Sequence, residues 1–209
     1  MARSYREIAF TPSVKAAQEY HGSRLQYARF DASPFDAADI GDMELGEAEA
    51  AFIAARDGFY MASVGETGWP YVQFRGGPAG FVHVLDGKTL AYADFRGNRQ
   101  YISVGNIAVE DRVALFFMDY ANRRRLKAMA RARFVEAGEE PALAERVTLP
   151  DYRARVERIA ILHVEAFDWN CPQHITPRFT EAEINEAVRP LLDRIRRLEA
   201  ELAALQRTP

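Results

Sequence analysis

The sequence predicts a mainly β protein, an antiparallel barrel with peripheral helices and a long C-terminal helix. Between Phe59 and Trp169, apolar and polar residues alternate in short runs separated by glycine, proline and aspartate turns, which is typical of half-buried strands. A parallel sheet would need a crossover helix after every strand, and the sequence leaves no room for them. After Phe179 the apolar residues recur at a helical period, so the last element differs in kind.

The residues before the barrel are predicted to contribute short helices. One helix covers SVKAAQEYHG, with Ser13 as its N-cap and Gly22 at its end, because serine caps helices and glycine stops them. A firmer helix is predicted from Gly46 to Arg56, where four apolar residues share one face. These residues are Ala48, Ala51, Phe52 and Ala55.

Six or seven strands are predicted to follow in antiparallel order. The first runs, FYMASV, YVQFR, FVHVL and TLAYADF, turn at Gly68-Trp69-Pro70 and Asp86-Gly87. A helix from Asn98 to Val109 precedes the runs DRVALFFMDY and RRLKAMARARFVEA. The first of these two is apolar on both faces and is expected deep in the barrel. Helical segments are predicted from Pro141 to Arg158, and a long strand from Ile159 to Trp169.

The C-terminal helix carries an uninterrupted apolar seam at alternating spacings of four and three residues, the a/d pattern of a coiled coil. The seam consists of Ile184, Val188, Leu191, Ile195, Leu198, Leu202 and Leu205. Pro190 lies within it and predicts a kink or a broken first turn. The helix either docks on its own barrel or contacts a second subunit, and the narrow seam favours the contact between subunits.

Composition argues against several classes of protein. The formal net charge of −3 is unlike that of a nucleic-acid binder that relies on bulk positive charge. No apolar run reaches the roughly 20 residues of a membrane span, and the charged N-terminus lacks a secretory signal core. One cysteine, Cys171, cannot form an internal disulfide, which favours a reducing compartment. We therefore expect a soluble cytoplasmic protein without membrane or nucleic-acid partners.

Two strand ends carry arginines next to glycine turns. Arg75 precedes Gly76-Gly77, Arg99 follows Gly97, and Asn98 to Gln100 begin a predicted helix. Guanidinium groups bind phosphate oxygens in pairs, glycine lets the backbone approach an anion, and helix N-termini attract negative charge. Neither a G-x-G-x-x-G motif nor a Walker A loop is present. The pattern therefore predicts a phosphorylated cofactor at the edge of the barrel, outside the common nucleotide folds.

The remaining residues with reactive or metal-binding side chains predict neither a metal site nor a catalytic group. Cys171 and His174 have no further ligands at zinc-like spacing, and no nucleophile with a base stands out. Where the chain supplies no such group, a bound planar cofactor usually carries the chemistry, which points to a redox function. Five aromatic residues either flank such a ring or pack in the core: Tyr71, Phe74, Tyr92, Phe95 and Trp169.

Four segments, GWPYVQFRGGPAGFVHVLD, ADFRGNRQYISVGNI, DRVALFFMDYANRRRLK and DWNCPQHITPRF, resemble the pyridoxamine 5′-phosphate oxidase-like, FMN-binding split-barrel family, in particular its branch of oxidase-related flavin-nucleotide-binding proteins. The resemblance implies a six-stranded antiparallel Greek-key split barrel. It also implies a homodimer with one FMN in each of two grooves between subunits. The implied organisation is an arm over residues 1–45, the FMN-binding barrel over 46–178 and an amphipathic helix over 179–209.

The resemblance also implies which residues contact FMN. One group lies along the ring or its groove: Val72, Gln73, Phe74, Tyr92, Ala93 and Asp94. A second group matches the phosphate site and the following helix: Arg75, Asn98, Arg99, Gln100 and Asn106. A third group matches a C-terminal segment that reaches the flavin across the dimer: Trp169, Gln173, His174 and Ile175.

One departure from the family pattern bears on the reaction. Pyridoxamine phosphate oxidases carry an Arg-x-His pair near the C-terminus, whereas this chain has Gln173-His174-Ile175 and no Arg-x-His beyond it. We therefore expect an FMN-dependent oxidoreductase acting on an unknown small substrate, with a nicotinamide nucleotide as a candidate donor and no assigned catalytic residue. The alternatives are a flavin carrier or redox sensor without turnover and, third, a divergent pyridoxamine phosphate oxidase.

Overall fold

The computed structural model describes residues 4–28, 44–169 and 173–206. Cys171 and residues 29–43, most of the second half of the predicted arm, lie outside these residues. The chain divides into two compact units, one of residues 1–119 with 124–172, and one of residues 120–123 with 173–209.

Seven helices occur in the described ranges, and local sequence accounts for most of their ends. They are α1 (Tyr5–Ala9), α2 (Pro12–Tyr20), α3 (Arg24–Ala28), α4 (Glu47–Ala54), α5 (Ile102–Val109), α6 (Pro141–Val147) and α7 (Glu181–Gln206). The N-cap of α2 is Thr11 instead of the predicted Ser13, because its hydroxyl accepts the Val14 N–H at 3.4 Å and proline occupies the first helical position. The predicted helix after Gly46 is confirmed as α4.

Seven strands form one antiparallel sheet in the order β2-β1-β5-β6-β7-β4-β3. They are β1 (Gly58–Val64), β2 (Pro70–Gly76), β3 (Val82–Val84), β4 (Thr89–Phe95), β5 (Arg112–Asp119), β6 (Arg124–Glu136) and β7 (Val156–Trp169). The mainly β antiparallel class is confirmed; the sheet has seven strands, within the predicted six or seven and one more than the resemblance implies, and it is not closed. The three-residue β3 pairs with β4 as an edge strand, and no ladder joins it to β2 in the described sheet.

The open sheet nevertheless curls around the larger of its two apolar clusters. Phe59 of β1 and Tyr92 of β4 lie on strands four places apart in the sheet order, yet their ring centroids are 5.5 Å apart. Phe81 and Phe117 complete this cluster, with Phe59 stacked between them at 6.1 and 4.8 Å. Strand twist brings such distant strands together. Side-chain packing therefore links strands that no backbone ladder of the described sheet joins.

Two further predictions needed correction. The helical interpretation of Pro141 to Arg158 is right only as far as Val147, and β7 already begins at Val156. Alternate residues of β5 are buried, whereas Phe116 and Met118 on its other face are half-buried. The strand is therefore central in the sheet but covered on one face only.

The helix α7 is continuous from Glu181 to Gln206 and contains Pro190. A broken first turn, one of the two outcomes predicted from Pro190, does not occur. The helix begins with a reciprocal cap, in which Thr180 Oγ1 accepts the Glu183 N–H at 3.2 Å and Glu183 accepts the Thr180 N–H at 2.7 Å. Every described residue of α7 is exposed.

Candidate functional site

A polar cleft of about 240 Å³ lies between β2, the end of β4, the start of α5 and the start of β7. Alternate residues of a strand face opposite sides of the sheet. In β2 this alternation directs Tyr71, Gln73 and Arg75 into the cleft, and all three line it. Val72 and Phe74 lie on the other face.

The floor of the cleft is a buried carboxylate between two arginines. Arg75 Nη1 donates to Asp94 Oδ1 at 2.8 Å, and Arg158 Nη2 donates to Asp94 Oδ2 at 2.7 Å. Asp94 is 3% exposed, and burying a carboxylate is costly unless it is paired in this way. Arg75 Nε is buried and has no hydrogen-bond partner among the described residues. The shared carboxylate thus fixes the direction of both arginines, and Arg75 Nε is a buried donor without a protein acceptor among the described residues.

The upper wall of the cleft is the start of α5. Its N-cap residue, Tyr101, has a left-handed backbone with φ 54°, and no side chain caps the first turn. The first backbone N–H groups of a helix lack intrahelical acceptors and attract anions. Arg99, also left-handed at φ 62°, lines the cleft beside this turn. Hydrogen bonding to Tyr101 raises the pKa of its guanidinium, which therefore stays charged.

The glycines beside the arginines differ in their surroundings. None of Gly76, Gly77 and Gly97 has positive φ; the left-handed residues here are Arg99 and Tyr101. A Cβ on Gly77 would lie 2.7 Å from Phe81 Cγ, so this glycine makes room for core packing. A Cβ on Gly97 would meet nothing within 4 Å, which leaves that side of the cleft open.

Two buried hydrogen bonds fix α5 against the sheet. Ser103 Oγ, on a residue that is 1% exposed, donates to Gln73 Oε1 at 2.8 Å. Asn106 Nδ2 donates to Ser63 Oγ at 3.1 Å. Because α5 is held at two points, its uncapped N-terminus keeps a constant position over the cleft. Asn106 itself holds the helix and does not line the cleft.

The cleft carries a small positive excess. Three arginines, Arg75, Arg99 and Arg158, face two carboxylates, Asp94 and Glu157, so the formal sum is +1. The positive end of α5 adds to this charge. The arrangement favours a small dianion, such as a phosphate monoester, over a cation.

Six of the predicted site residues meet in this cleft: Gln73, Arg75, Asp94, Asn98, Arg99 and Gln100. Tyr92 and Ala93 are buried in the core. His174 has a left-handed backbone and Ile175 is buried, and both belong with Gln173 to the second compact unit. Sequence reasoning missed Arg158, Glu157, Tyr101 and Ser103. The first two lay in a stretch that was assigned to helix, whereas the structure has them in β7, with Arg158 opposite Asp94.

Trp169 is occupied by structural contacts. Its Nε1 donates to Glu49 Oε1 at 2.8 Å, and its ring meets Phe52 edge-on at 4.7 Å. The guanidinium of Arg124 covers it at 4.6 Å. These contacts attach the end of β7 to α4. The predicted flavin contact of Trp169 stays a prediction.

The outer face of β2 and β1 is apolar and exposed. Val72 is 61% and Phe74 57% exposed, and neighbouring Tyr60 and Val64 of β1 are also exposed. Beside them, a second cavity of about 360 Å³ has Ala62, Ala114 and Met129 among its lining residues. Contiguous apolar surface of this kind is uncommon on monomers and marks interaction sites.

The described residues contain no group of three or more His, Cys, Asp or Glu side chains able to hold a metal ion. Among the described helices, none is long and apolar enough to cross a membrane.

The family model described as Pyridoxamine 5′-phosphate oxidase matches residues 45–168. Three solved structures illustrate the similarity. HupZ from Group A Streptococcus is 18% identical, covers 65% of this chain and 99% of its own, and has a TM-score of 0.46. An F420 reductase is 19% identical with 59% and 98% coverage and a TM-score of 0.42. A protein related to general stress protein 26 from Clostridium acetobutylicum is 14% identical with 64% and 92% coverage and a TM-score of 0.43. No curated protein sequence gave a match.

Proposed function

The chain belongs to the pyridoxamine 5′-phosphate oxidase family, and from this premise we propose that it binds FMN in the polar cleft and acts as a flavin-dependent oxidoreductase. The observation that carries the proposal is the convergence of Arg75, Arg99 and the uncapped N-terminus of α5 on one space. A phosphate monoester accepts hydrogen bonds from guanidinium and backbone N–H groups together.

The donors in the cleft fit the phosphate of FMN. Arg75 Nε is buried and unpartnered among the described residues, and such a donor is costly unless a ligand or water completes it. Arg99 is solvent-accessible and held beside the helix start. Asn98 Oδ1 accepts the Gln100 N–H at 3.2 Å, which shapes the turn between them. Gln73 is oriented by Ser103 and gives the cleft a fixed amide.

The size of the cleft favours a site completed by a second subunit. Its volume of about 240 Å³ is below the roughly 300–1,000 Å³ of typical ligand pockets. A phosphate and ribityl chain fit this space, whereas the flavin ring needs further walls. We propose a homodimer in which the exposed outer face around Val72 and Phe74 is covered and in which a second chain contributes to each flavin site.

Bound FMN would supply hydride or electron transfer, and the chain would supply binding, orientation and exclusion of water. Asp94 holds Arg75 and Arg158 in position, and Ser103 holds Gln73. No side chain of the cleft is assigned as acid or base. A small organic molecule is the substrate we propose, with a nicotinamide nucleotide as donor. The single cysteine and the family membership are compatible with a cytoplasmic location.

Identification of the bound ligand tests the binding proposal. Purified protein should be yellow, and mass spectrometry of the molecule released by denaturation should give FMN. A deazaflavin or another phosphorylated compound would retain the phosphate site but overturn FMN. Absence of any ligand, together with no binding of added FMN, would overturn the proposal.

Turnover is tested separately. Steady-state oxidation of NADH or NADPH by the FMN-loaded protein supports the oxidoreductase. Tight FMN retention without turnover by any donor would favour the flavin carrier or redox sensor. Formation of pyridoxal phosphate would favour the divergent oxidase, which the missing Arg-x-His pair argues against.

A further inference from the structure

The apolar seam of α7 assigns each of its residues to a heptad position. The d positions are Ile184, Leu191, Leu198 and Leu205, and the a positions are Val188, Ile195 and Leu202. All seven lie within one continuous helix. The seam therefore runs along a single face without interruption.

This seam has no cover within the described chain. Leu205 is 72% and Leu191 63% exposed, and the other five seam residues are also exposed. The opposite face bears charge, including an ion pair in which Arg196 donates to Asp193 at 3.3 Å. A long helix with an exposed leucine stripe and a charged back is typical of a surface that is buried in an assembly.

We propose that α7 pairs with α7 of a second copy of this chain as a parallel, two-stranded coiled coil. Valine and isoleucine occupy the a positions Val188 and Ile195, and leucine occupies the d positions Leu191, Leu198 and Leu205. In parallel coiled coils β-branched residues at a combined with leucine at d favour two strands over three or four. Ile184 at d and Leu202 at a depart from this pattern, and the other five of the seven seam positions favour two strands.

The flanking charges are complementary in this arrangement. Arg194 occupies a g position and Glu199 the following e position. In a parallel pair, a g residue of one helix faces the next e residue of the other helix. Arg194 of each chain therefore faces Glu199 of its partner, twice by symmetry. No two like charges face each other across the e and g positions of the described helix.

Pro190 is compatible with this pairing because it occupies a c position, on the side of the helix away from the seam. Its ring and the unmatched carbonyl of Glu186 then face water. Residues 184–205 extend roughly 33 Å at 1.5 Å per residue, or about three heptads. Such a short coiled coil is weak alone and gains from any second contact between the same two chains. The inference does not depend on flavin binding.

Cysteine cross-linking of the full-length protein distinguishes the possible arrangements. Cys171, the only cysteine, is replaced by serine, and Leu205→Cys is introduced at the C-terminal end of the seam. In a parallel pair the two Cys side chains lie side by side, within disulfide distance. In an antiparallel pair that places a positions opposite d positions from Val188 to Leu205, position 205 lies opposite Val188, and the two thiols are about 25 Å apart at 1.5 Å per residue.

Two double variants provide the matched comparison. Ile195→Glu with Leu198→Glu puts two carboxylates into the seam, and Ala200→Glu with Ala203→Glu puts two on the outer face. Glutamate forms helices well, so both pairs keep α7 helical by circular dichroism. We expect rapid disulfide formation under mild oxidation at micromolar protein in the parent and in the outer-face variant. The seam variant should cross-link more slowly, by roughly tenfold or more, because the thiols lose their high local concentration.

Each outcome decides the inference. Cross-linking at 205 that the seam variant abolishes supports the parallel coiled coil. Cross-linking between Val188→Cys and Leu205→Cys, without self-linking of the Leu205→Cys protein, would overturn the parallel arrangement. If cross-linking through Val188→Cys and through Leu205→Cys is slow, and equally slow in the seam and outer-face variants, α7 does not pair with itself. Loss of FMN binding would leave these outcomes unchanged, so failure of the proposed function is distinguishable.

Discussion

The guanidinium of Arg75 and the buried carboxylate of Asp94 form a 2.8 Å ion pair that joins β2, the first strand of the sheet, to β4, the sixth. No described ladder connects these two strands. Arg158 of β7, directly opposite Asp94 in the register, holds the other carboxylate oxygen. One aspartate therefore both links distant strands of an open barrel and orients the arginines of the candidate phosphate site.

Replacing Asp94 should destabilise the protein strongly. Asp94→Asn keeps the shape of the side chain but removes the counter-charge from the half-buried Arg75 and leaves Arg158 with Glu157 at 3.3 Å. Removing one partner of a buried pair costs about 3–5 kcal/mol, measurable by urea unfolding at neutral pH. Asp111→Asn is the control, since Asp111 pairs with Arg131 at 2.7 Å in an exposed position and such pairs contribute about 0–1 kcal/mol. Equal losses in both variants would contradict the structural role of Asp94.

Arg99→Ala should weaken FMN binding without destabilising the fold, because the guanidinium lies in the open part of the cleft. A hydrogen bond to a charged group contributes about 1.5–3 kcal/mol, so the Kd for FMN should rise by roughly 10- to 150-fold. Fluorescence quenching of FMN by the apoprotein measures this change. Arg133→Ala, an exposed arginine paired with Glu140 at 3.5 Å, is the matched control. An unchanged Kd in the Arg99 variant would remove Arg99 from the phosphate site.

The structure also shows why Arg75 is a less selective probe than Arg99. Arg75→Ala would remove a ligand contact and also leave Asp94 with Arg158 alone. Loss of colour in a combined Arg75 and Arg99 variant would then mix binding with stability. Arg75 and Arg99 look alike in sequence, because each lies next to a glycine turn. Of the two, Arg75 forms the ion pair that joins β2 to β4.

Period-two alternation was enough to predict the strands and to place Gln73 and Arg75 on one face. It also implied that Val72 and Phe74 face the other way, although the family resemblance grouped all four with the cofactor. The partner of Asp94 was not predictable in this manner, because Arg158 lies on β7 and its stretch had been assigned to helix. The left-handed conformation of Arg99 and Tyr101 was not predicted, because glycine is the usual residue in that conformation.

The contact of Trp169 with Glu49 should be measurable as a coupling between β7 and α4. Trp169→Phe removes the indole N–H that donates to Glu49 Oε1 at 2.8 Å but keeps an aromatic ring against Phe52. We expect a loss of about 1.5–3 kcal/mol for a hydrogen bond to a charged acceptor. Glu49 also caps α4 by accepting the Gly46 N–H at 3.0 Å.

A double-mutant cycle with Glu49→Ala separates the two contributions of Glu49. The capping loss appears in both backgrounds and cancels, so the remaining coupling energy belongs to the Trp169 contact. Additive losses would show that this hydrogen bond contributes nothing in solution. FMN affinity measured on the same Trp169→Phe protein tests the predicted flavin contact independently.

His83 should make stability depend on pH. Burial, and then the nearby positive charge of Arg146, lower the pKa of this histidine below its usual 6.5, and its Nε2 is buried without a partner among the described residues. Below about pH 6.5 the unfolded chain therefore binds more protons than the folded chain. The contribution of neutral His83 to the free energy of unfolding is fully present above that pH. It is lost as the pH decreases towards the folded-state pKa.

The His83→Gln variant tests this dependence, because glutamine keeps a polar side chain on β3 that does not titrate. Urea unfolding of the parent between about pH 7 and pH 5 should show stability decreasing with pH, and the variant should show a shallower slope. His21→Gln, at the exposed end of α2, is the control and should keep the parent slope. If the parent and the His83 variant lose stability equally over this range, the buried imidazole is not the source of the pH dependence. A direct NMR titration of the His83 ring should then also give an ordinary pKa.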